Sequence, residues 1–192
     1  MAYPDVNLKR RPFLAPIWLS FSGALALWVF AGVLGWAGWT WVTAKTTTVI
    51  VVRHAEKSLD AGSDPPLTAA GRARAEALAR LFGDGHDPGH LDAIYVSPTV
   101  RSRMTAAPLA ARLGMAPIEG PERDAPRLVS QLLREHAGGR VLVVGHSDTV
   151  TAIVERLSGA TGLPPIADDE YGTLYVVAVP RIGRANVLRL HY

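Results

Sequence analysis

Three short runs of consecutive apolar residues, rich in valine and isoleucine, recur along the last three quarters of the chain. The runs are 49–52, 93–96 and 141–144. Each is continuous rather than alternating, the pattern of a strand that is buried on both faces of a sheet. Two later segments, 173–179 and 186–190, are predicted to be strands joined by a turn.

Segments with apolar residues at helical spacing lie between these runs. The predicted helices are 68–82, 100–113, 125–136 and 150–158. Thr68 suits the N-cap of the first, and Gly114 suits the position that follows the end of the second. Strands that alternate with helices predict an α/β three-layer sandwich around a mostly parallel central sheet. Residues 46–48, all threonine, are expected to be a short polar link before this domain.

A longer apolar segment precedes the domain. Residues 13–44 contain no charged residue and hold all five tryptophans. A bilayer-spanning helix needs about 20 such residues. We therefore expect a transmembrane signal anchor, with a cleaved signal peptide and a buried core helix as the alternatives. A secretory apolar region is usually only about 7–15 residues long, which favours a retained anchor.

The charges that flank this segment predict its orientation. Lys9, Arg10 and Arg11 precede it, whereas only Lys45 follows it closely. The positive-inside rule leaves residues 1–12 as a cytoplasmic tail and places residues 45–192 on the extracytoplasmic, periplasmic side of a single-pass membrane protein.

Composition removes several classes of function. The chain has no cysteine, which excludes disulfides, thiolate metal ligands and a thiol nucleophile. Three of its 20 lysines and arginines, and one of its 17 acidic residues, lie in residues 1–12, so residues 45–192 carry 17 basic and 16 acidic side chains. This near-neutral domain gives no sign of a nucleic-acid surface.

Polar side chains follow each of the three buried runs. Arg53 and His54 follow the first, Ser97 the second, with Arg101 one helical turn later, and His146 follows the third. Ligands of open α/β sheets bind just beyond the carboxyl ends of the strands. Two arginines and two histidines at one edge predict an anion site, because arginine presents a fork of donors that fits phosphate. A neutral histidine can also attack phosphorus covalently.

These motifs together resemble the histidine phosphatase superfamily, the phosphoglycerate-mutase-like proteins of branch 1. The matching segments are Arg53-His54-Ala55-Glu56-Lys57, Leu67-Thr68-Ala69-Ala70-Gly71, Ser97-Pro98-Thr99-Val100-Arg101 and Gly145-His146. The resemblance implies that His54 is the nucleophile and that Arg53, Arg101 and His146 complete the phosphate pocket, with Arg103 as an alternative to Arg101. Ser97 and Lys57 are further candidates for binding substrate.

The residue that protonates the leaving group stays open at this point. Ser147 occupies the position after the second histidine, where one branch of the family has an aspartate, and Asp148 follows it. Glu56, two residues after His54, is a second candidate. Glu119 and Glu122 lie in the region where another branch places a glutamate.

The resemblance implies a phosphatase that hydrolyses phosphate monoesters of small molecules through phosphohistidine, without a metal or other cofactor. The alternatives are a protein phosphohistidine phosphatase and a non-catalytic phosphate-binding module tethered to the membrane. A mutase is less favoured, because the domain of residues 45–192 shows no extra segment that would exclude water. The sequence does not predict an oligomeric state.

Overall fold

The computed structural model describes residues 17–43, 46–58, 62–83, 90–121 and 123–192. The chain divides between Trp41 and Val42 into two compact units. Helix α1 (Ile17–Thr43) lies in the first unit except for its last two residues, and its side chains at positions 25–39 are exposed. Within the described residues, no helix combines the length and apolarity that crossing a membrane requires. The transmembrane helix expected over 13–44 is therefore not supported, and the tail 1–12 lies outside the described residues.

The second unit is built around one six-stranded sheet. Its strands are β1 (Thr46–Arg53), β2 (Ala93–Val96), β3 (Ile118–Glu119), β4 (Arg140–Gly145), β5 (Thr173–Pro180) and β6 (Asn186–His191). They lie in the order β3-β2-β4-β1-β5-β6. Strands β3, β2, β4 and β1 are mutually parallel, and β5 runs antiparallel to both of its neighbours. The sheet is therefore mixed. Three of its four parallel strands, β1, β2 and β4, contain the apolar runs from which they were predicted.

Helices cover both faces of this sheet. They are α2 (Ala69–Phe82), α3 (Val100–Leu113), α4 (Ala125–Glu135) and α5 (Ser147–Ser158). Alternate residues of each central strand point to opposite faces, so β1 gives Val49 and Val51 to the cluster under α4 and α5, and Ile50 and Val52 to the cluster under α2 and α3. These two buried layers make the α/β three-layer sandwich that the sequence predicts.

The structure corrects the sequence prediction at three places. Residues 46–48 are not a link but the first three residues of β1, as expected for β-branched threonine. Thr47 is buried, and its hydroxyl accepts a hydrogen bond from Gly138 N–H at 2.9 Å. Helix α5 begins at Ser147 rather than Val150, with His146 as its N-cap. The short strand β3 has no counterpart in the prediction.

The strand register places the candidate site. Arg53, the last residue of β1, pairs with Gly145, the last residue of β4. Val96, the last residue of β2, pairs with Val144. Three neighbouring parallel strands therefore end at one edge of the sheet, and the residues that follow them are brought together there.

Candidate active site

The backbone continues the sheet for one residue beyond the strand ends. His54 N–H donates to the Gly145 carbonyl at 2.9 Å, and Ser97 N–H donates to the Val144 carbonyl at 3.2 Å. The rings of His54 and His146 meet edge to face, with their centroids 5.2 Å apart. The structure thus brings the two predicted histidines into contact.

The His54 ring is held in one tautomer. Its Nδ1 lies 2.8 Å from the backbone carbonyl oxygen of Ala55, which can only accept a hydrogen bond. Nδ1 therefore carries the proton of the neutral ring, and Nε2 keeps its lone pair. A lone pair on a fixed, buried imidazole is the arrangement that a histidine nucleophile needs.

The surroundings of His54 keep the ring neutral. Burial is the largest cause and lowers the pKa of His54 from 6.5 to about 4. The hydrogen bond to Ala55 opposes this shift, and the positive charges of His146, Arg101 and Arg53 add to it. Near neutral pH the ring is therefore unprotonated and able to attack an electrophile.

We expect the His54 ring to titrate with a midpoint near pH 4, about 2.5 pH units below an ordinary histidine. A proton NMR titration of the ligand-free full chain would measure this midpoint. The His54→Ala variant assigns the resonance, because its spectrum lacks that signal. A midpoint near 6.5 would contradict the buried, neutral ring.

One hydroxyl group contacts the ring of the second histidine, and another contacts its backbone N–H. The Nε2 atom of His146 lies 3.0 Å from Ser97 Oγ, which also contacts Ser102 Oγ at 2.7 Å and Thr99 Oγ1 at 3.1 Å. The backbone N–H of His146 donates to Thr149 Oγ1 at 2.8 Å. Ser97, predicted to bind substrate, contacts the His146 ring and so links it to the start of α3.

Arg53 is almost fully buried and is fixed by the loop of residues 166–172. Its NH1 donates to the backbone carbonyls of Ala167 and Glu170, at 2.6 and 3.0 Å. The Tyr171 ring lies 4.4 Å from the guanidinium carbon, and NH2 lies 3.8 Å from Asp168 Oδ1. The Nε atom is buried and has no hydrogen-bond acceptor among the described residues. Buried donors are rarely left unpaired, so this atom suits an anionic ligand.

Arg101, in the first turn of α3, has a similar arrangement. Its NH1 lies 3.2 Å from Asp64 Oδ1, and its Nε is also buried without an acceptor in the described part of the chain. The Arg101 carbonyl accepts from Thr105 Oγ1, which in turn accepts from Ala55 N–H at 3.0 Å. Arg103, the alternative pocket residue, is instead exposed and paired with Glu119.

The loop that carries His54 is packed against the start of α2. The Glu56 carbonyl accepts from Thr68 N–H at 2.9 Å, and Thr68 also caps α2 by accepting from Gly71 N–H at 3.0 Å. Gly71 lies so close that an added Cβ would be 2.3 Å from the Glu56 carbonyl oxygen. The glycine of the Leu67–Gly71 motif is thus required by the close approach of α2 to the loop.

We expect Gly71→Ala to destabilise the domain by about 1–3 kcal/mol, because the new methyl group must displace the Glu56 backbone. Thermal unfolding measures the loss. Gly38→Ala, where the added methyl meets no atom within 4 Å, is the control. An unchanged melting temperature in Gly71→Ala would contradict the tight packing.

The carboxylates predicted as proton donors lie in different surroundings. Both oxygens of Glu56 accept from Arg74, at 2.6–3.0 Å. Burial alone would raise the pKa of Glu56, but the hydrogen bonds from Arg74 and nearby positive charge lower it. Glu56 thus ties the loop to Arg74 on α2, and its role as an acid remains a prediction. Glu119 is exposed on β3 and paired with Arg103, and Glu122 lies outside the described residues.

Asp148, another predicted acid, is close to His146 in the chain. It lies in the first turn of α5, two residues after His146, and is exposed. Its Oδ1 accepts from Thr149 N–H at 2.9 Å. The acid role of Asp148 remains a prediction.

Two residues at the site, Tyr171 and Thr105, belong to no motif that marks them in the sequence. The ring centroid of Tyr171 lies 6.4 Å from that of His54. Lys57 forms an isolated β-bridge with Leu67 through its backbone, which requires no lysine side chain. Its substrate-binding role remains a prediction.

Comparison with known proteins finds a family match and similar folds. Residues 49–124 match the model of the histidine phosphatase superfamily, branch 1. The protein histidine phosphatase SixA, in complex with tungstate, has a similar fold with a TM-score of 0.59 and 22% identity, over 75% of this chain and 96% of that one. A mycobacterial glucosyl-3-phosphoglycerate phosphatase gives a TM-score of 0.59 and 15% identity, over 74% and 97%. No curated protein matches the sequence.

Proposed function

We propose that this chain, whose residues 49–124 match the model of the histidine phosphatase superfamily, branch 1, hydrolyses phosphate monoesters through a phosphohistidine intermediate on His54. One observation carries the proposal. A neutral His54, with its proton fixed on Nδ1, lies beside two arginines that each have a buried, unpaired Nε donor in the described residues.

The proposed reaction has two steps. Nε2 of His54 attacks phosphorus, the bond from phosphorus to the leaving oxygen breaks, and that oxygen takes a proton from a general acid. Water then attacks the phosphohistidine and releases inorganic phosphate and the free ring. Arg53, Arg101 and His146 stabilise the negative charge on the non-bridging oxygens. Within the described residues, no acceptor occupies the Nε atom of either arginine.

A protein phosphohistidine phosphatase is the second candidate. Two of the carboxylates that could serve as acids, Glu56 and Glu119, are engaged by arginines. A phosphorylated imidazole leaves with less help from an acid than an alkoxide does, so this arrangement suits it. The fold similarity to SixA is a further support. Faster turnover of a phosphohistidine peptide than of p-nitrophenyl phosphate would favour this candidate.

The proposal is tested by assaying the full chain with p-nitrophenyl phosphate. We expect turnover that persists in EDTA, because the proposed chemistry uses side chains alone, and we expect inhibition by orthovanadate, which resembles phosphate in its transition state. Loss of activity on chelation would contradict the mechanism. Saturable vanadate binding without turnover of either substrate would favour the non-catalytic binding module.

The placement of the domain is a separate proposal. The charge asymmetry around residues 13–44 still favours an extracytoplasmic domain tethered at the membrane. Alkaline carbonate extraction of cell membranes tests the tether, since a peripheral or unattached protein would be released.

A further inference from the structure

Asp64 is a carboxylate outside the predicted site that contacts α3 directly. Its Oδ1 and Oδ2 accept from Val100 N–H at 3.1 and 3.0 Å, and Oδ1 lies 3.2 Å from Arg101 NH1. Thr99, the N-cap residue of α3, makes no capping hydrogen bond with its own side chain. Asp64 therefore caps α3 from a position 36 residues earlier in the chain.

The residues that follow Asp64 are held in place by their surroundings. Pro65, which follows it, is buried, and the Pro66 carbonyl accepts from Ser58 N–H at 2.9 Å. The backbones of Lys57 and Leu67 form a β-bridge next to this contact. Two consecutive prolines restrict the backbone further. Asp64 is thus a fixed partner of α3 rather than a surface carboxylate on a free chain.

Arg101 is held at two points as a result. Its carbonyl is linked through Thr105 Oγ1 to Ala55 N–H, next to His54, and its guanidinium is held at NH1 by Asp64. NH1 is occupied by Asp64, whereas the buried Nε of Arg101 has no acceptor among the described residues. The Arg101 side chain is 15% exposed, whereas Asp64 is 40% exposed, so the carboxylate lies on the outer side of the pair.

We propose that Asp64 is a positioning residue for Arg101, orienting its guanidinium towards a phosphoryl group on His54. This inference rests on the proposed function, because it assigns the phosphoryl group to the same pocket. Its oxygens accept from one backbone N–H and one guanidinium, and these two contacts join Asp64 to Arg101 and the start of α3.

A double-mutant cycle on the full chain tests this role. The variants are Asp64→Ala, Asp64→Asn, Arg101→Ala and Asp64→Ala/Arg101→Ala. Binding of orthovanadate by isothermal titration calorimetry and kcat/KM for p-nitrophenyl phosphate are the two readouts. Asp124→Ala is the control, because Asp124 is also a helix-capping aspartate: as the N-cap residue of α4 it accepts from Arg127 N–H at 3.0 Å.

We expect Asp64→Ala to weaken vanadate binding and lower kcat/KM by about tenfold, the effect of loosening one charge-assisted contact. Asp64→Asn, which keeps an oxygen for Val100 N–H and Arg101, should lose less. The double variant should be no worse than Arg101→Ala alone, since Asp64 acts through that residue. Asp124→Ala should lose a similar amount of thermal stability and keep wild-type binding and turnover.

Two results would overturn the inference. One is an effect of Asp64→Ala no larger than that of Asp124→Ala, which would make Asp64 a structural cap. The other is losses from Asp64→Ala and Arg101→Ala that add in the double variant. If the wild-type chain shows no turnover, the proposed function is contradicted instead. The double-mutant cycle measured by vanadate binding would still decide whether Asp64 acts through Arg101. Should Asp64→Ala fail to fold, Asp64→Asn is compared with Asp124→Ala and Arg101→Ala in its place.

Discussion

Replacing His54 by alanine is expected to lower kcat for p-nitrophenyl phosphate by about three orders of magnitude or more, because the covalent route is lost. The remaining pocket would still bind phosphate through Arg53 and Arg101. We therefore expect vanadate affinity to fall much less than kcat. Steady-state kinetics of the full chain, with vanadate binding measured beside it, separates the two effects.

His90→Ala is the control for this substitution. His90 is exposed and precedes β2, at the opposite end of that strand from the site. It should keep wild-type kinetics. A His54→Ala variant that retains a tenth of the wild-type kcat would contradict the role of His54 as nucleophile.

Arg101→Ala is expected to lower kcat/KM by about 10²–10³-fold, the usual effect of removing one preorganised donor to the developing charge. We expect kcat to fall by a larger factor than KM rises, because the charge on the non-bridging oxygens is greatest in the transition state. Arg101→Lys should recover little, since an ammonium group cannot reproduce the guanidinium fork held by Asp64.

Arg103→Ala is the matched control, on the same helix and two residues away. Arg103 is exposed and its NH1 lies 2.8 Å from Glu119 Oε1, so its loss removes only a surface ion pair. We expect unchanged kinetics. Equal losses from Arg101→Ala and Arg103→Ala would indicate damage to α3 rather than to a phosphate pocket.

The fold of residues 46–192 was predictable because its strands and helices carry strong local patterns. The continuous runs of β1, β2 and β4 are buried on both faces, and such runs occur in the parallel half of a sheet. Strand β3 has two residues, both exposed, and so offers no apolar run to recognise. The threonines of residues 46–48 looked polar, although their branched side chains favour a strand.

The centre of the site was predictable for a topological reason. Parallel strands end at one edge, so Arg53, His54, Ser97, Arg101 and His146 could be placed together before any contact was known. The resemblance to a family then gave each of them a role.

The contacts that fix these side chains could not be predicted from local patterns. Arg53 is held by carbonyls that lie 114 and 117 residues later in the chain. Glu56, a candidate acid, is paired with Arg74 on α2. Such pairings depend on how loops return to the sheet, and no spacing within the sequence encodes them.

The most direct test of the central claim is to trap the phosphorylated enzyme. The full chain would be mixed with p-nitrophenyl phosphate, quenched within milliseconds in alkali, where phosphohistidine survives, and digested for mass spectrometry. The account predicts an acid-labile phosphate on the peptide that contains His54, and none on that peptide in His54→Ala. Turnover with phosphate on another side chain, or with no phosphorylated peptide at any time, would contradict it.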